Sequence, residues 1–565
     1  MSTTFSRRSA RRVLAAPLAL VCALPVGAQT LDVRLEDGGH ILRRTSYGVS
    51  TSDIVNISFP LTTPQSQIIS AYLAAQIGPN AAVENPELDA LLNGPTSTFT
   101  VPFLLANDPG QTAITWSVFD LAETNIARAC MSSNQLQELM VNFWEEHFST
   151  NFWSEVNYFE DQNETRTRAE ELGAYFEWRE NQFFRENWHH DFEDLLLFSA
   201  KSATMLIYLD NVDNTANGPN ENYSRELLEL HTLGVDPNTG QAVHYDLTDI
   251  IELSKILTGW TLVKDPATLD WRFDFDGSAA GHSAGNKTLT LGSGPPFTAI
   301  YDNAAPTEGE LALQHIANLP ETAEFVSRKL YKLFISDTEP PPGDPLIAAC
   351  VADWTANNGQ IKRIVDLLLR SPEFQSDTNI RWTMARTPLE SVGQMVRGSG
   401  GTFLTEGQVQ GVRDDLDNEL GQQLFRFPSP DGFPGASLDQ ISTAGTLNRI
   451  RFNQKAYSQL DLMGTIYAGT AFYNPIGVLD AFGVDKTSEI AVADWFLLVF
   501  FQGNLTPLDT AFAHDFILRD SAGNPTATNF AALLATQTIP DLQEYADRLN
   551  SFLAYIQSFE QSQSK

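Results

Sequence analysis

The chain has 565 residues, with 70 Asp and Glu against 36 Lys and Arg, which gives a formal net charge of −34 at pH 7. So much negative charge argues against nucleic acid and anionic lipid surfaces as partners, because both would repel the protein. The length exceeds the usual single-domain size of about 100–200 residues and leaves ample material for a large core.

The N-terminus has the order of features that is typical of a secretory signal peptide. A basic stretch without acids precedes an apolar run over residues 13–26, and Val26, Gly27 and Ala28 supply the small residues of a cleavage site. The sequence therefore predicts a signal peptide over residues 1–28 and a periplasmic or secreted protein over residues 29–565. A retained transmembrane anchor is the alternative, although the apolar run is too short to span a bilayer comfortably.

No later segment approaches about eighteen uninterrupted apolar residues, so we expect no integral membrane segment after signal removal. Helical spacing of apolar residues dominates instead. The predicted helices cover residues 68–77, 134–148, 191–209, 221–233, 247–260, 311–334, 360–369, 448–466 and 542–559. Trp271, Phe273 and Phe275 alternate with polar residues and begin a strand region that ends near Leu291. We predict a mainly α protein: one large helical domain with a small β insertion and a candidate boundary near residue 400.

The first candidate site segment contains His147. On a helix, His147 shares one face with Met140, Phe143, Trp144 and Phe148, so its ring is expected to point into the interior. Glu145 and Glu146 are expected to turn away from the centre of that face. His147 is a candidate catalytic residue, and a hydrogen-bonded core histidine is the alternative.

The second segment covers residues 220–234, with Asn220 placed to cap a helix and Gly234 placed to end it in the left-handed conformation. Glu226 falls between Tyr223 and Leu233 on the apolar side of this helix. A carboxylate aimed there needs a partner or a raised pKa, because an unpaired buried charge costs several kcal/mol. His231 lies on the neighbouring face and is expected to be partly buried. Glu226 and His231 are therefore candidate catalytic residues beside His147.

An oxygen-rich loop follows Tyr208 and contains Asp210 and Asp213 among several asparagines. Such oxygens suit hard divalent cations, and His282 could join them if the β insertion folds back. Asp210, Asp213 and His282 are thus the candidate metal ligands. The spacing does not match the calcium-loop pattern, and an ordinary turn is the alternative.

Several familiar signatures are absent from the sequence: GxSxG, HExxH, the P-loop and GxGxxG. A conventional serine hydrolase or zincin is therefore disfavoured. Cys130 and Cys350 remain after signal removal and could pair in an oxidising compartment, but no CxxC or Cys/His cluster indicates zinc.

A set of short motifs along the chain resembles the bacterial family catalogued as domain of unknown function 1800. The motifs are Leu42-Arg-Arg-Thr-Ser-Tyr-Gly48, Phe143-Trp-Glu-Glu-His-Phe148, Tyr208-Leu-Asp-Asn211, the string from Asn220 to Gly234, Thr258-Gly-Trp260, Ser371-Pro-Glu-Phe374, Thr387-Pro-Leu-Glu390 and Gly421-Gln-Gln-Leu-Phe425. The chain departs from the family pattern at Ser283, where the family tends to have Asp, and at Phe433, where it has Trp.

The resemblance implies an exported, mostly helical protein, and it implies no reaction. Such proteins are often encoded beside an exported family that looks sulfatase-like, which suggests that protein or an envelope glycan as partner. Two hypotheses stand: an enzyme that gathers these groups around a divalent metal or polar substrate, and a non-catalytic binding or assembly protein whose polar groups form a structural network. A third is a haem peroxidase-like enzyme, since residues 220–222 and 230–233 resemble a string of the animal-type peroxidases.

Overall fold

The computed structural model describes residues 28–58, 63–78, 84–93, 117–236, 239–268, 270–457 and 475–565. The predicted signal peptide lies outside these ranges, apart from Ala28 at the start of the first helix. The predicted helix over residues 448–466 is described only as far as Tyr457.

The N-terminal half of the described chain is built from helices. These helices are α1 (Ala28–Thr45), α2 (Thr51–Ser58), α3 (Gln65–Ile77), α4 (Pro86–Asn93), α5 (Val118–Met131), α6 (Gln135–His147), α7 (Phe152–Asp161), α8 (Arg166–Asn187), α9 (Phe192–Lys201), α10 (Ala203–Tyr208), α11 (Asn222–Glu226) and α12 (Leu247–Ile256). A π-helix, Leu227–Thr232, continues α11, and a short 3₁₀ helix, Asn211–Asp213, precedes it.

The β insertion consists of two antiparallel hairpins. Strand β1 (Trp260–Lys264) pairs with β2 (Trp271–Phe275), and β3 (Lys287–Leu289) pairs with β4 (Phe297–Ala299). The predicted helix over residues 247–260 is wrong at its end, because Gly259 adopts a positive φ of 83° and Trp260 begins β1.

Helices form the remainder of the described chain. They are α13 (Thr307–Ala317), α14 (Pro320–Phe334), α15 (Pro345–Ala356), α16 (Ile361–Arg370), α17 (Pro372–Ser376), α18 (Pro388–Gly398), α19 (Glu406–Asp415), α20 (Ser437–Gln440), α21 (Thr443–Tyr457), α22 (Pro475–Phe482), α23 (Glu489–Phe501), α24 (Pro507–Ile517), α25 (Phe530–Thr536) and α26 (Ile539–Ile556). The predicted fold class, mainly α with a small β insertion, is confirmed. Among the described residues, no helix is both long enough and apolar enough to span a membrane.

Two predicted helices are each divided in the structure. The segment 191–209 breaks at Ser202, whose backbone is extended and whose hydroxyl accepts a hydrogen bond from the Met205 amide at the start of α10. The segment 311–334 breaks before Pro320, because proline disfavours the helical conformation of the residue that precedes it. Apolar spacing continues through both breaks, so periodicity alone does not reveal them.

Cys130 and Cys350 do not form a disulfide: both are buried and free. Burial raises the pKa of each thiol to about 12. Both side chains therefore remain protonated and act as small apolar residues of the core.

The N-terminal helix is tied to the distant helix α18 and its neighbours by polar contacts. Arg43 and Arg44 are fully buried, and Arg43 lies 3.6 Å from the centre of the Trp382 ring. Arg397 on α18 donates to the carbonyl oxygen of Gly48 at 2.7 Å and pairs with Asp53 at 2.7 Å. These contacts join residues 43–53 to residues 382–397.

Gly48 is the point of closest approach in this contact. A Cβ atom at Gly48 would lie 2.4 Å from Cα of Gln394 on α18, so the substitution Gly48→Ala has to displace a helix backbone. We expect this overpacking to lower the free energy of unfolding by about 1–3 kcal/mol. The matched control is Gly407→Ala on α19, where an added Cβ meets no atom within 4 Å. Denaturant unfolding of both variants measures the difference, and equal stabilities would contradict the packing argument.

Candidate active site

His147 and His231 lie side by side in the core. His147 ends α6 and His231 belongs to the π-helix, and their ring centres are 5.9 Å apart. Each residue is only 1% exposed. Nε2 of His147 lies 3.1 Å from the carbonyl oxygen of His231 and donates to it. Nδ1 of His147 and both ring nitrogens of His231 have no hydrogen-bond partner among the described residues.

Aromatic rings surround this histidine pair, with Phe148 5.2 Å from His231 and Phe192 5.9 Å from His147. Burial lowers the pKa of His147 well below its ordinary value and that of His231 to about 3, and the charge of Lys329 lowers both further. Both rings are therefore neutral at physiological pH. They can offer lone pairs or N–H groups, but they do not act as cations.

The π-helix explains why His231 is more deeply buried than its sequence position indicates. The hydroxyl of Thr232 donates to the carbonyl oxygen of Leu227 at 2.7 Å, five residues earlier. The wider turn rotates the following side chains relative to an α-helix and carries His231 into the core beside His147. Such π-turns occur frequently at functional sites. Gly234 then ends the segment with a positive φ of 71°, as predicted.

Glu226 is half-buried, and burial followed by the charge of Glu229 raises its pKa, the direction that the sequence indicated. It is not among the groups that act on the histidine pair, where Lys329 is the charged neighbour. The apolar layer that was expected around Glu226 does not bury it fully. The structure thus brings together two of the three predicted catalytic residues, His147 and His231.

The predicted metal ligands do not meet. Asp210 and Asp213 are exposed, whereas His282 is buried in the β insertion, with Nδ1 2.8 Å from the Thr258 carbonyl oxygen and Nε2 3.0 Å from Glu308. In the described ranges, no group of three or more His, Cys, Asp or Glu side chains is placed to hold a metal ion.

Polar side chains of the loop after Tyr208 donate hydrogen bonds to backbone carbonyl oxygens. Asn211 donates to the Trp260 carbonyl oxygen at 3.2 Å, and Asn214 donates to that of Ser254 at 2.9 Å. Both asparagines are buried, so they fix the loop against α12 and β1.

A cluster of buried glutamates, which the sequence interpretation missed, lies on the other side of α6. Glu145 of α6 and Glu155 of α7 each face Glu177 and Glu180 of α8, and the last three are at most 1% exposed. Glu145 accepts a hydrogen bond from Asn181 at 2.8 Å, and Glu177 accepts one from Thr150 at 3.1 Å. We call these four residues the carboxyl cluster.

The carboxyl cluster can exist only if part of it is protonated. Both oxygens of Glu155 lack a donor in the described structure, and the group that faces them is the Glu177 carboxyl. Glu155 therefore holds a proton and donates it to Glu177, since two ionised carboxylates in contact would repel each other. Burial raises the pKa of Glu145 and Glu155 well above their ordinary value, that of Glu177 to about 7 and that of Glu180 to about 8.

A cleft opens beside the carboxyl cluster, and Glu145 and Glu146 both line it. Burial raises the pKa of Glu146 to about 7, against the opposing effects of the Phe433 amide, which donates to it, and of Lys329. Burial in turn lowers the pKa of Lys329 to about 8. The other lining residues carry amides, hydroxyls, aromatic rings and one aliphatic side chain: Asn125, Asn142, Ser149, Thr150, Gln422, Gln423, Leu424, Phe425, Phe427 and Phe433.

The fold and the site define the class of protein: it is mainly helical, and its ionisable side chains converge behind a polar cleft. The chain belongs to the family described as protein of unknown function (DUF1800), whose profile matches residues 40–547. The resemblance drawn from the motifs is thereby confirmed. No curated protein and no solved structure matches the chain.

The carboxyl cluster makes stability depend on pH. A raised pKa means that the folded state keeps a proton that the unfolded chain loses above the ordinary value of 4.5, so stability falls as pH rises. For Glu180 this loss extends from about pH 4.5 to about pH 8. We expect the melting temperature to fall across this window and the fall to be smaller in Glu180→Gln.

The control for the pH series is Glu87→Gln, which removes one charge from an exposed position on α4. It separates the effect of burial from general repulsion in an acidic chain. Thermal scans at fixed ionic strength compare the three proteins. Parallel pH profiles for Glu180→Gln and Glu87→Gln would contradict the assignment.

The two histidines should respond oppositely to substitution by leucine. His231→Leu removes two buried ring nitrogens that have no partner, and we expect unfolding to require about 1–2 kcal/mol more. His147→Leu removes the donor to the His231 carbonyl oxygen, and we expect a loss of about 1–3 kcal/mol. Chemical denaturation measures both values. A large loss in His231→Leu would mean that its nitrogens bind a partner in solution.

Proposed function

We propose that this protein is an exported acid–base enzyme of the cell envelope or secreted fraction, with its active site in the cleft beside Glu145 and Glu146. The observation that carries the proposal is the Glu146 carboxyl, which lines a partly enclosed cleft and whose pKa burial raises to about 7. A group with such a pKa is present in both protonation states at neutral pH, as a catalytic acid or base requires. Perturbed groups in a cleft are a mark of functional sites.

The two adjacent glutamates suit complementary roles. Burial and the neighbouring carboxyls of Glu177 and Glu180 raise the pKa of Glu145 and keep it protonated, so it can donate a proton. Glu146 accepts a hydrogen bond from the Phe433 amide and lies near Lys329, and both favour its ionised form, so it can accept a proton. Pairs of carboxyls whose environments separate their pKa values perform acid–base catalysis in many enzymes.

The cleft wall points to a hydroxyl-rich substrate. The side-chain amides of Asn142 and Gln423 line the cleft and make no hydrogen bond within the described residues, so both are available to sugar hydroxyls. Phe425, Phe427 and Phe433 add aromatic surface, on which the apolar face of a sugar ring can pack. We therefore propose an envelope polysaccharide as the substrate class.

Hydrolysis of a glycosidic bond is the reaction that this pair can perform. Glu146 takes a proton from a water molecule as the water oxygen attacks the anomeric carbon. Glu145 gives its proton to the departing glycosidic oxygen, and the sugar–oxygen bond breaks. The proton gained by Glu146 and the proton lost by Glu145 balance, and exchange with solvent restores both groups. The histidine pair and Lys329 position α6 behind the cleft.

We further propose that the protein acts in the periplasm or outside the cell, on the basis of the signal-peptide pattern in residues 1–28. An exported sulfatase-like protein is the proposed partner. Removal of sulfate from a glycan would then precede or follow cleavage of its backbone. Fractionation and co-purification test these two statements.

Substitution of the proposed acid and base tests the activity. We expect wild-type protein to release reducing ends from a panel of envelope polysaccharides, and Glu146→Gln and Glu145→Gln to lose about 10²–10⁴-fold in rate. Melting temperatures should stay close to that of the wild type, because glutamine keeps the shape of each side chain. The exposed Glu87→Gln is the control that should keep full activity.

Two outcomes would contradict the proposal. Full activity in Glu146→Gln together with loss in Glu226→Gln would favour the site that the sequence indicated around Glu226. Absence of activity on every polysaccharide, with strong unfolding of Glu145→Gln, would favour the non-catalytic hypothesis of a structural network. Elemental analysis and an absorption spectrum of the same preparation test for a bound metal or haem.

A further inference from the structure

A second cavity, with a volume of about 320 Å³, shares no lining residue with the cleft. Helices α8 and α9, the start of α10 and strand β2 form its walls. Three of the lining side chains are aromatic and three are basic. They are Phe176, Phe198 and Phe273, and Arg179, Lys201 and Arg272; Glu180, Ser202 and Ala203 complete the lining.

The basic side chains are unusual for this chain, in which acids outnumber bases by 70 to 36. Other arginines of α8 are paired: Arg166 with Glu160 and Glu170, and Arg185 with Glu138. Arg179 and Arg272, in contrast, have no carboxylate at ion-pair distance in the part of the chain that the structure describes. Two exposed guanidinium groups at one cavity are thus available to an anion.

Lys201 differs from the two arginines because it has a carboxylate partner. It pairs with Glu310 outside the cavity, and its ammonium group lies 5.7 Å from the ring centre of Phe273. It therefore contributes positive potential to the wall, while its own charge is already balanced. The two arginines remain the groups that can bind a ligand directly.

Glu180 is the acidic residue of the cavity lining. It is 1% exposed, and its Oε2 accepts hydrogen bonds from Thr204 and, at 3.4 Å, from Ser202. Its Oε1 has no partner in the described structure. Burial raises the pKa of this carboxyl to about 8, so at neutral pH it is protonated and adds no negative charge to the cavity wall.

We propose that this cavity binds an organic anion with an apolar face, namely a sugar ring that carries a carboxylate or a sulfate group. Arg179 and Arg272 hold the anionic group, because planar guanidinium groups form paired hydrogen bonds with carboxylate and sulfate oxygens. Phe273 and Phe176 contact the apolar face of the ring. The site is distinct from the cleft, and the proposal does not depend on the acid–base activity.

Calorimetric titration with matched small ligands tests the site. The probes are glucuronate, glucose 6-sulfate, glucose and inorganic sulfate. We expect glucuronate and glucose 6-sulfate to bind at least tenfold more tightly than glucose or inorganic sulfate. If glucose bound as tightly as glucuronate, the arginines would not contribute to binding. If inorganic sulfate bound as tightly as glucose 6-sulfate, the aromatic wall would not contribute. Either result would overturn the proposal.

Variants locate the binding in this cavity. Arg179→Gln with Arg272→Gln should weaken glucuronate binding at least tenfold, and both positions are exposed, so the fold should tolerate the change. Arg370→Gln, an exposed arginine of α16, is the control and should bind as the wild type does. Glu146→Gln should also bind normally, which separates this site from the cleft. Unchanged binding in the double variant would refute the assignment.

Discussion

Three consecutive ionisable side chains on the last turn of α6 are the constraint on which the surrounding structure depends: His147 is buried, and Glu145 and Glu146 are partly buried. Glu145, Glu146 and His147 leave the helix in three directions, and an unpaired charge in the core would cost several kcal/mol at each position. Different partners therefore stabilise each of the three side chains. Burial and the carboxyls of Glu177 and Glu180 on α8 keep Glu145 protonated. The Phe433 amide and Lys329 favour the ionised form of Glu146, and the π-helix provides a carbonyl oxygen for His147.

Local periodicity was sufficient to predict the fold class and the inward direction of His147, because both depend on which residues share a helix face. It did not indicate the burial of Glu145 against α8, because this residue was expected only to turn away from the centre of the apolar face. A helical face shows where a side chain points, but it does not show what covers it. The covering helix, α8, is rich in charged residues and lacks a clear apolar stripe, so neither its existence nor the burial of Glu177 and Glu180 followed from the pattern.

The errors at His231 and at the predicted metal ligands have a common physical origin. One extra residue per turn in the π-helix changes the face on which His231 lies, and sequence spacing assumes a regular α-helix. In the loop after Tyr208, the asparagines satisfy buried backbone carbonyls of Ser254 and Trp260, which are distant in sequence. Long-range contacts decided both outcomes, as they did for Gly48 against Gln394.

The balance of stability favours a function for these groups over a purely structural role. A buried polar network is stabilising when every member has a partner, and replacement by apolar residues is often more stable when members do not. Both ring nitrogens of His231 are buried without a partner in the described structure, and the fully buried Glu155 carboxyl faces only other carboxyls. A protein that needed only a core would gain stability from apolar side chains there. Retaining such costly groups beside an open cleft is the arrangement that catalysis or ligand binding requires.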